Sequence, residues 1–157
     1  MKERQLKRQF TAPEASELSG VGYTSLVYWD RVNLLQPSIQ KSSGTGRAPR
    51  LYSRMDVLAI VLIDRMREAG AGVTGLRGTP NLLAELMGEY KTLDDIHSGQ
   101  YLVSNGRSVD LLTTRELQAV AVLPGKVTKQ YIVDVIDAWK RLKRDIREME
   151  REKAVAN

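Results

Sequence analysis

Residues 10–78 constrain this chain more than any other stretch, because they hold two helix-turn-helix patterns with a basic hairpin between them. The first pattern occupies residues 10–30. Thr11 and Glu14 have the spacing of a capping box, and Pro13 stands in the first turn, where a missing N–H does little harm. Ala15, Leu18, Val21 and Leu26 fall where two short helices pack across a turn at Gly20. A short helix held in this way has a shape that enters the major groove of DNA.

Residues 34–37 end the helical run at Pro37. Residues 38–41 are then predicted as one strand and residues 50–52 as its partner, with a Ser/Gly-rich tip between them that carries Arg47. Lys41, Arg47 and Arg50 reach phosphates from such a hairpin. The competing reading is a solvated surface loop. Ser53 and Asp56 repeat the capping spacing, and a helix with an unusually broad apolar surface is predicted over residues 55–69. Gly70 stops it, and residues 73–77 begin the second, shorter pattern.

These strings, in this order, resemble the MerR-type transcription regulators. The resemblance covers residues 10–83, about half of the chain. It rests on Phe10-Thr11 with Glu14-Ala15, on Leu18-Ser19-Gly20-Val21, and on Leu26-Val27-Tyr28-Trp29-Asp30-Arg31. It continues through Asn33-Leu34-Leu35-Gln36-Pro37, Arg50-Leu51-Tyr52-Ser53 with Asp56, and Arg65-Met66-Arg67-Glu68-Ala69-Gly70. The resemblance implies a dimer with a winged helix-turn-helix DNA-binding domain, a long antiparallel coiled coil and a variable effector region. It also implies double-stranded DNA as partner, promoter distortion as mechanism and RNA polymerase as a further candidate partner. Carried over by residue, Tyr28, Arg50 and Tyr52 correspond to phosphate contacts, with Arg31 and Arg47 as further candidates. Tyr23 and Thr24, early in the second helix, are the candidates for reaching base edges. Tyr52 has an alternative reading, as a hairpin residue packed on Trp29. Two positions depart from the family pattern. Val27 replaces a usual arginine, which removes one phosphate contact, and Asn33 replaces a usual glycine, which it can do because asparagine tolerates the left-handed conformation.

Charge is distributed unevenly. The net charge is +5, and residues 1–80 hold 12 Lys+Arg against 7 Asp+Glu, whereas residues 81–157 hold 12 of each. The positive excess therefore lies entirely in the half that resembles a DNA-binding domain. The basic arm at residues 1–9 adds to it, read either as a DNA contact or as a solvated tail. There is no cysteine, so disulfides and thiolate metal or redox sensing through this chain are excluded. The charged N-terminus shows no secretory signal, and residues 57–63 are too short an apolar run to span a membrane. The expectation is a cytoplasmic, nucleoid-associated protein of bacterial type with no membrane partner.

The end of the chain reads as a long helix capped at Thr128. Ile132, Val135, Trp139, Leu142, Ile146 and Met149 recur in steps of three and four and occupy a and d of a heptad frame. Such a stripe needs a partner surface, either a second copy across a dimer seam or the chain's own domain; the narrow seam between flanking charges favours the dimer. Residues 84–126 are less legible. Asn105-Gly106 predicts a two-residue hairpin turn that sets Leu102 opposite Val109, with Leu111 on the same face. Thr113 and Glu116 cap a short helix over residues 115–119, and residues 120–123 are predicted as a third strand. This platform is a candidate effector site or a dimer brace; a sensing role places the ligand near the hinge at residues 123–131.

Catalytic chemistry finds little support. His97 is the only histidine, and Asp94 and Asp95 are adjacent, so they do not form a facing acid/base pair on a helix. The expectation is a non-enzyme without cofactor or metal, its effector unassigned. The fold class expected is mainly α with a β wing, divided into an arm (1–9), a winged helix-turn-helix domain (10–83), a small α+β middle segment (84–126) and a coiled-coil dimerisation helix with its tail (127–157). The function expected is a dimeric, sequence-specific transcriptional regulator. The alternative is a phage or architectural DNA-binding protein, of small-terminase or excisionase type, that uses the same unit.

Overall fold

The structure is a computed structural model and describes residues 6–41, 48–122 and 130–156. Its first helix, α1 (Ala12–Ser19), begins at the expected capping box: the Thr11 hydroxyl accepts from the Glu14 N–H, and the Glu14 carboxylate accepts from the Thr11 N–H at 3.0 Å. Gly20, at φ 78°, ends it in the left-handed conformation that glycine adopts without a Cβ penalty. The turn is fastened by side chains. Ser16 Oγ donates to the Val21 carbonyl at 2.6 Å, and the Val21 N–H donates to Ser19 Oγ at 3.1 Å. Helix α2 (Tyr23–Arg31) follows and buries Leu26 and Trp29. Beyond it Asn33 holds φ 59°, as expected of an asparagine in a glycine position.

Strand β1 (Gln9–Thr11) pairs antiparallel with β2 (Leu51–Ser53), with Phe10 opposite Tyr52. This corrects the expected hairpin. Residues 38–41 do not form a strand; one bridge joins Gln40 to Leu51, through hydrogen bonds of 2.9 and 3.2 Å. The main partner of β2 is instead β1, which takes in the last residue of the arm, so Gln9 belongs to the fold and not to a tail. Residues 1–5 and the hairpin tip with Arg47 lie outside the described residues.

Helix α3 (Arg54–Ala69) starts at the second capping box, Ser53 with Asp56, and stops at Gly70 with φ 112°. Its broad apolar surface has a simple cause: α1, β2 and the later elements all pack around it. Val57, Leu58, Ile60, Leu62, Ile63 and Met66 are all fully buried, as a helix apolar on nearly every side must be. A 3₁₀ turn (Val73–Leu76) leads into α4 (Thr79–Glu89).

The middle of the chain forms a second sheet. Strands β3 (Gln100–Ser104) and β4 (Val109–Thr113) make the expected hairpin, but Leu102 stands opposite Leu111 and Ser104 opposite Val109. The turn therefore contains four residues and not two. Asn105 Oδ1 accepts from the N–H groups of Arg107 and Ser108, which builds a wider loop, with Gly106 at φ 90°. The slip is an even number of residues, so the apolar face survives it. The helix begun by Thr113 and Glu116 is α5 (Thr114–Val122), and it runs through residues 120–122 of the expected third strand. Strand β5 (Tyr131–Asp134) takes that place, on the other side of β3, with Val133 opposite Leu102.

The last element is α6 (Val135–Ala156). Its cap is Asp134, whose carboxylate accepts from the Asp137 N–H at 3.0 Å; Thr128 lies outside the described residues. The heptad stripe is real, but its partner is the chain itself. Val135, Trp139, Leu142, Ile146 and Met149 are buried in the same core as α1 and α3. In this arrangement the stripe is not available as the dimer seam expected of it. Ile132 is not on the helix at all. It lies in β5 facing away from Val133 and remains half exposed, because a strand alternates faces every residue.

Candidate nucleic-acid interface

Helix α2 supplies the surface. One side is anchored by Leu26 and Trp29, and the opposite side carries Tyr23, Thr24, Ser25, Tyr28 and Arg31, all exposed. Tyr23 is 53% exposed and Tyr28 54%. Among the described residues these are the most exposed aromatic side chains, and they stand five positions apart on the uncovered side of one short helix. The sequence reading singled out Tyr23, Thr24, Tyr28 and Arg31, and the structure brings them together. It overlooked Ser25, although helical spacing places Ser25 beside Tyr28.

Lys41 is exposed at the end of the stretch that crosses Leu51. Arg50 is engaged differently from expectation. Its Nε donates to Asp30 Oδ2 at 2.7 Å, and both side chains are largely covered, at 19% and 13% exposure. The hydrogen bond that Asp30 accepts is the main reason that the Arg50 guanidinium is held above its ordinary pKa. The pair fastens the base of the hairpin to the C-terminal turn of α2. Asp30 is therefore a residue of this surface that the sequence reading missed; the signal was an acidic residue on a helix otherwise expected to face phosphates.

Tyr52 is a correction. It was expected to contact phosphate, yet it is fully buried, and burial pushes its hydroxyl up to about 12. The pairing of β2 with β1 turns its side chain inward, into the cluster that also contains Trp29. That is close to the alternative reading of Tyr52 as a residue packed on Trp29.

A second cluster of charge lies at the opposite edge of α1. Glu14, 8% exposed, receives hydrogen bonds from Lys7 Nζ at 2.7 Å and from Lys153 Nζ of α6. The Lys7 backbone N–H also donates to Glu150 at 2.9 Å. Burial alone would raise the Glu14 pKa; the hydrogen bonds from Lys153 and Lys7 overcome it and hold the carboxyl near 2. This cluster ties the arm and the end of α6 to the first helix. Among the described residues no group of three or more His, Cys, Asp or Glu is placed to hold a metal ion, and no helix is long and apolar enough to cross a membrane.

Residues 10–79 match the sequence profile described as MerR HTH family regulatory protein. This chain carries a MerR-type helix-turn-helix domain. The profile ends within α4, so the domain comprises α1 to α3, the two-stranded sheet, the 3₁₀ turn and the start of α4. The chain is also similar to an uncharacterized HTH-type transcriptional regulator of Mycobacterium bovis, with 34% identity over 68 residues. Two uncharacterized HTH-type transcriptional regulators from Mycobacterium tuberculosis strains match to the same degree. The aligned part is 43% of this chain and 30% of each relative, so the chain spans less than a third of the length of the relatives it matches.

Proposed function

We propose that this protein is a sequence-specific DNA-binding regulator of transcription. The observation that supports it most is the exposed face of α2. A helix that anchors itself with Leu26 and Trp29 while leaving Tyr23 and Tyr28 uncovered has surface area to bury against something else. Together with the MerR-type domain and the positive excess in residues 1–80, the partner is double-stranded DNA. In this reading Tyr23 and Thr24 meet base edges in the major groove, while Tyr28, Arg31 and Lys41 fix phosphates. Arg50 acts through Asp30, holding the hairpin at a set angle to α2.

Two copies on a pseudo-palindromic promoter site, with distortion of the DNA between the half-sites, complete the proposal. The two copies would meet through a surface other than the stripe of α6. Sequencing of genomic fragments protected by the purified protein tests the reading. It expects a recurrent, two-fold-related sequence concentrated in promoter spacers. Protection without a shared sequence would overturn it.

A further inference from the structure

Residues 81–157 balance in charge, but the outer surface of α6 sorts the two signs. Lys140, Arg144, Arg147 and Arg151 each stand five positions after a residue of the buried stripe, Val135, Trp139, Leu142 and Ile146. Five positions are about 140° beyond a full turn, so these four cations form a ridge on the far side of the helix from the core that α6 shares with α1 and α3. All four are exposed, and the ridge is about 16 Å long. Its successive members stand three or four positions apart and repel one another. None of the four makes an ion pair among the described residues. On the flank that faces α1 lie carboxylates: Asp145, Glu148 and Glu152 line a groove with Glu17. Carboxylates repel phosphates, so on that side the ridge is fenced off and does not continue the surface of α2 across α1.

The second observation is on the other flank, which leads to further cations. The Lys7 backbone N–H donates to Glu150 at 2.9 Å, which lays the arm against α6 one residue before Arg8. Lys143, the residue before Arg144, donates to Asp94, and the field of Asp94 reaches Arg54 at the start of α3. Arg54 is half-buried, and neither it nor Arg8 makes an ion pair among the described residues. Burial and then the charge of Arg8 lower the Arg54 pKa, and Asp94 offsets them only in part. Two guanidinium groups held near each other without a carboxylate of their own are stabilised by an anion from outside.

We propose that this ridge, with Arg8 and Arg54 on its flank, holds the phosphate backbone of a second stretch of duplex DNA while α2 is engaged on the first. Over about 16 Å one strand of a duplex carries roughly five phosphates, enough to face every cation of the ridge. The ridge has no aromatic or amide side chain, so it offers phosphates a field and bases nothing to read. The second contact is therefore independent of sequence, and one copy of the chain can tie two segments of DNA together. The identity of the anion rests on the DNA-binding reading above; the existence of a second surface does not.

A capture experiment with the full chain tests this. Beads carrying one duplex are loaded with protein, washed, and offered a labelled duplex of unrelated sequence. The native chain should capture it. Arg144→Gln, Arg147→Gln and Arg151→Gln, made together, should load on the beads equally and capture at least about tenfold less. All three positions are exposed and glutamine suits a helix, so the melting temperature should hold. Tyr28→Ala with Arg31→Gln, which impairs α2, separates this inference from the function proposed above. Its binding to the labelled duplex in solution should persist and should vanish when the three ridge changes are added. That result would leave the inference standing even for a chain with no promoter sites. Equal capture by the native chain and the ridge variant would overturn it. So would a ridge variant that no longer loads, because the ridge would then belong to the first surface. Capture blocked by polyglutamate as effectively as by unlabelled DNA would overturn it too and make an acidic protein the partner.

Discussion

Tyr52 and Tyr28 show how position decides what the same residue type does. Tyr28 stands 54% exposed on α2, whereas Tyr52 is 0% exposed, and its hydroxyl has no hydrogen-bond partner among the described residues. A buried hydroxyl left unpaired is a cost to the folded state. Tyr52→Phe should therefore leave stability unchanged or raise it by up to about 1 kcal/mol, and should not alter DNA affinity. Urea unfolding and a binding titration check both parts; a loss of affinity would return Tyr52 to the phosphate-contact role. Glu14 sets a second expectation. Its carboxyl lies near 2 in the folded chain against 4.5 for the unperturbed group. A depressed carboxyl stabilises the fold above its unfolded value, and that stabilisation fades as pH falls from about 4.5 towards 2. Lys7 and Lys153 are both partly in solvent, at 33% and 51% exposure, so solvent screening limits the effect to about 1–2 kcal/mol. Glu14→Gln should lose that stability at neutral pH and show a flatter decline in acid. Unfolding midpoints measured from pH 2 to 7 would contradict this if the variant and the native chain declined in parallel.

Helices α1 and α3 were legible because each carries its own start and stop in the sequence. Capping boxes at Thr11 and Ser53, and the glycines at 20 and 70, act within a few residues, so no distant contact was needed to place them. Strand partners were less legible because pairing is a long-range choice. The segment at residues 9–11 competes with residues 38–41 for the edge of β2, and nothing local reveals which wins. Residues 120–122 were misread for a related reason. Their apolar run, with valine at 120 and 122, suggests a strand, but the helix begun at Thr113 extends over them, and intrinsic preference yields to context. On α2, the anchored and exposed faces followed from helical spacing, whereas the ion pair between Asp30 and Arg50 did not, because it joins residues 20 apart in the chain. The stripe of α6 was read correctly as a stripe and assigned the wrong partner: periodicity shows that a face is apolar but not what covers it. Its consequence is measurable. Trp139, 3% exposed, also donates its indole N–H to Asp94 at 3.1 Å. Trp139→Ala should cost roughly 3–5 kcal/mol through the cavity it leaves. Because the contact is within one chain, the fall in melting temperature should not depend on protein concentration. A fall that shrinks as concentration rises would place Trp139 in an interface between copies.

At the scale of the whole molecule, α3 is the hub. The MerR-type domain wraps one side of it, and the second sheet and α6 cover the rest, so both halves of the chain share one core. The consequence is a rigid mount for α2, whose exposed face points away from that core. The positive excess of residues 1–80 accompanies the same half, and the remainder of the chain is electrically balanced. The division suits a protein that uses one half to meet a polyanion and the other to hold its shape. The most direct measurement is the sequence preference of the native chain and of Tyr23→Ala, selected in parallel from a random duplex library at one salt concentration. The account predicts a defined preferred sequence for the native chain and, for Tyr23→Ala, a relaxed or altered preference at one or two base pairs per half-site with the flanking positions retained. An identical preference for both proteins, or no preference for either, would contradict it.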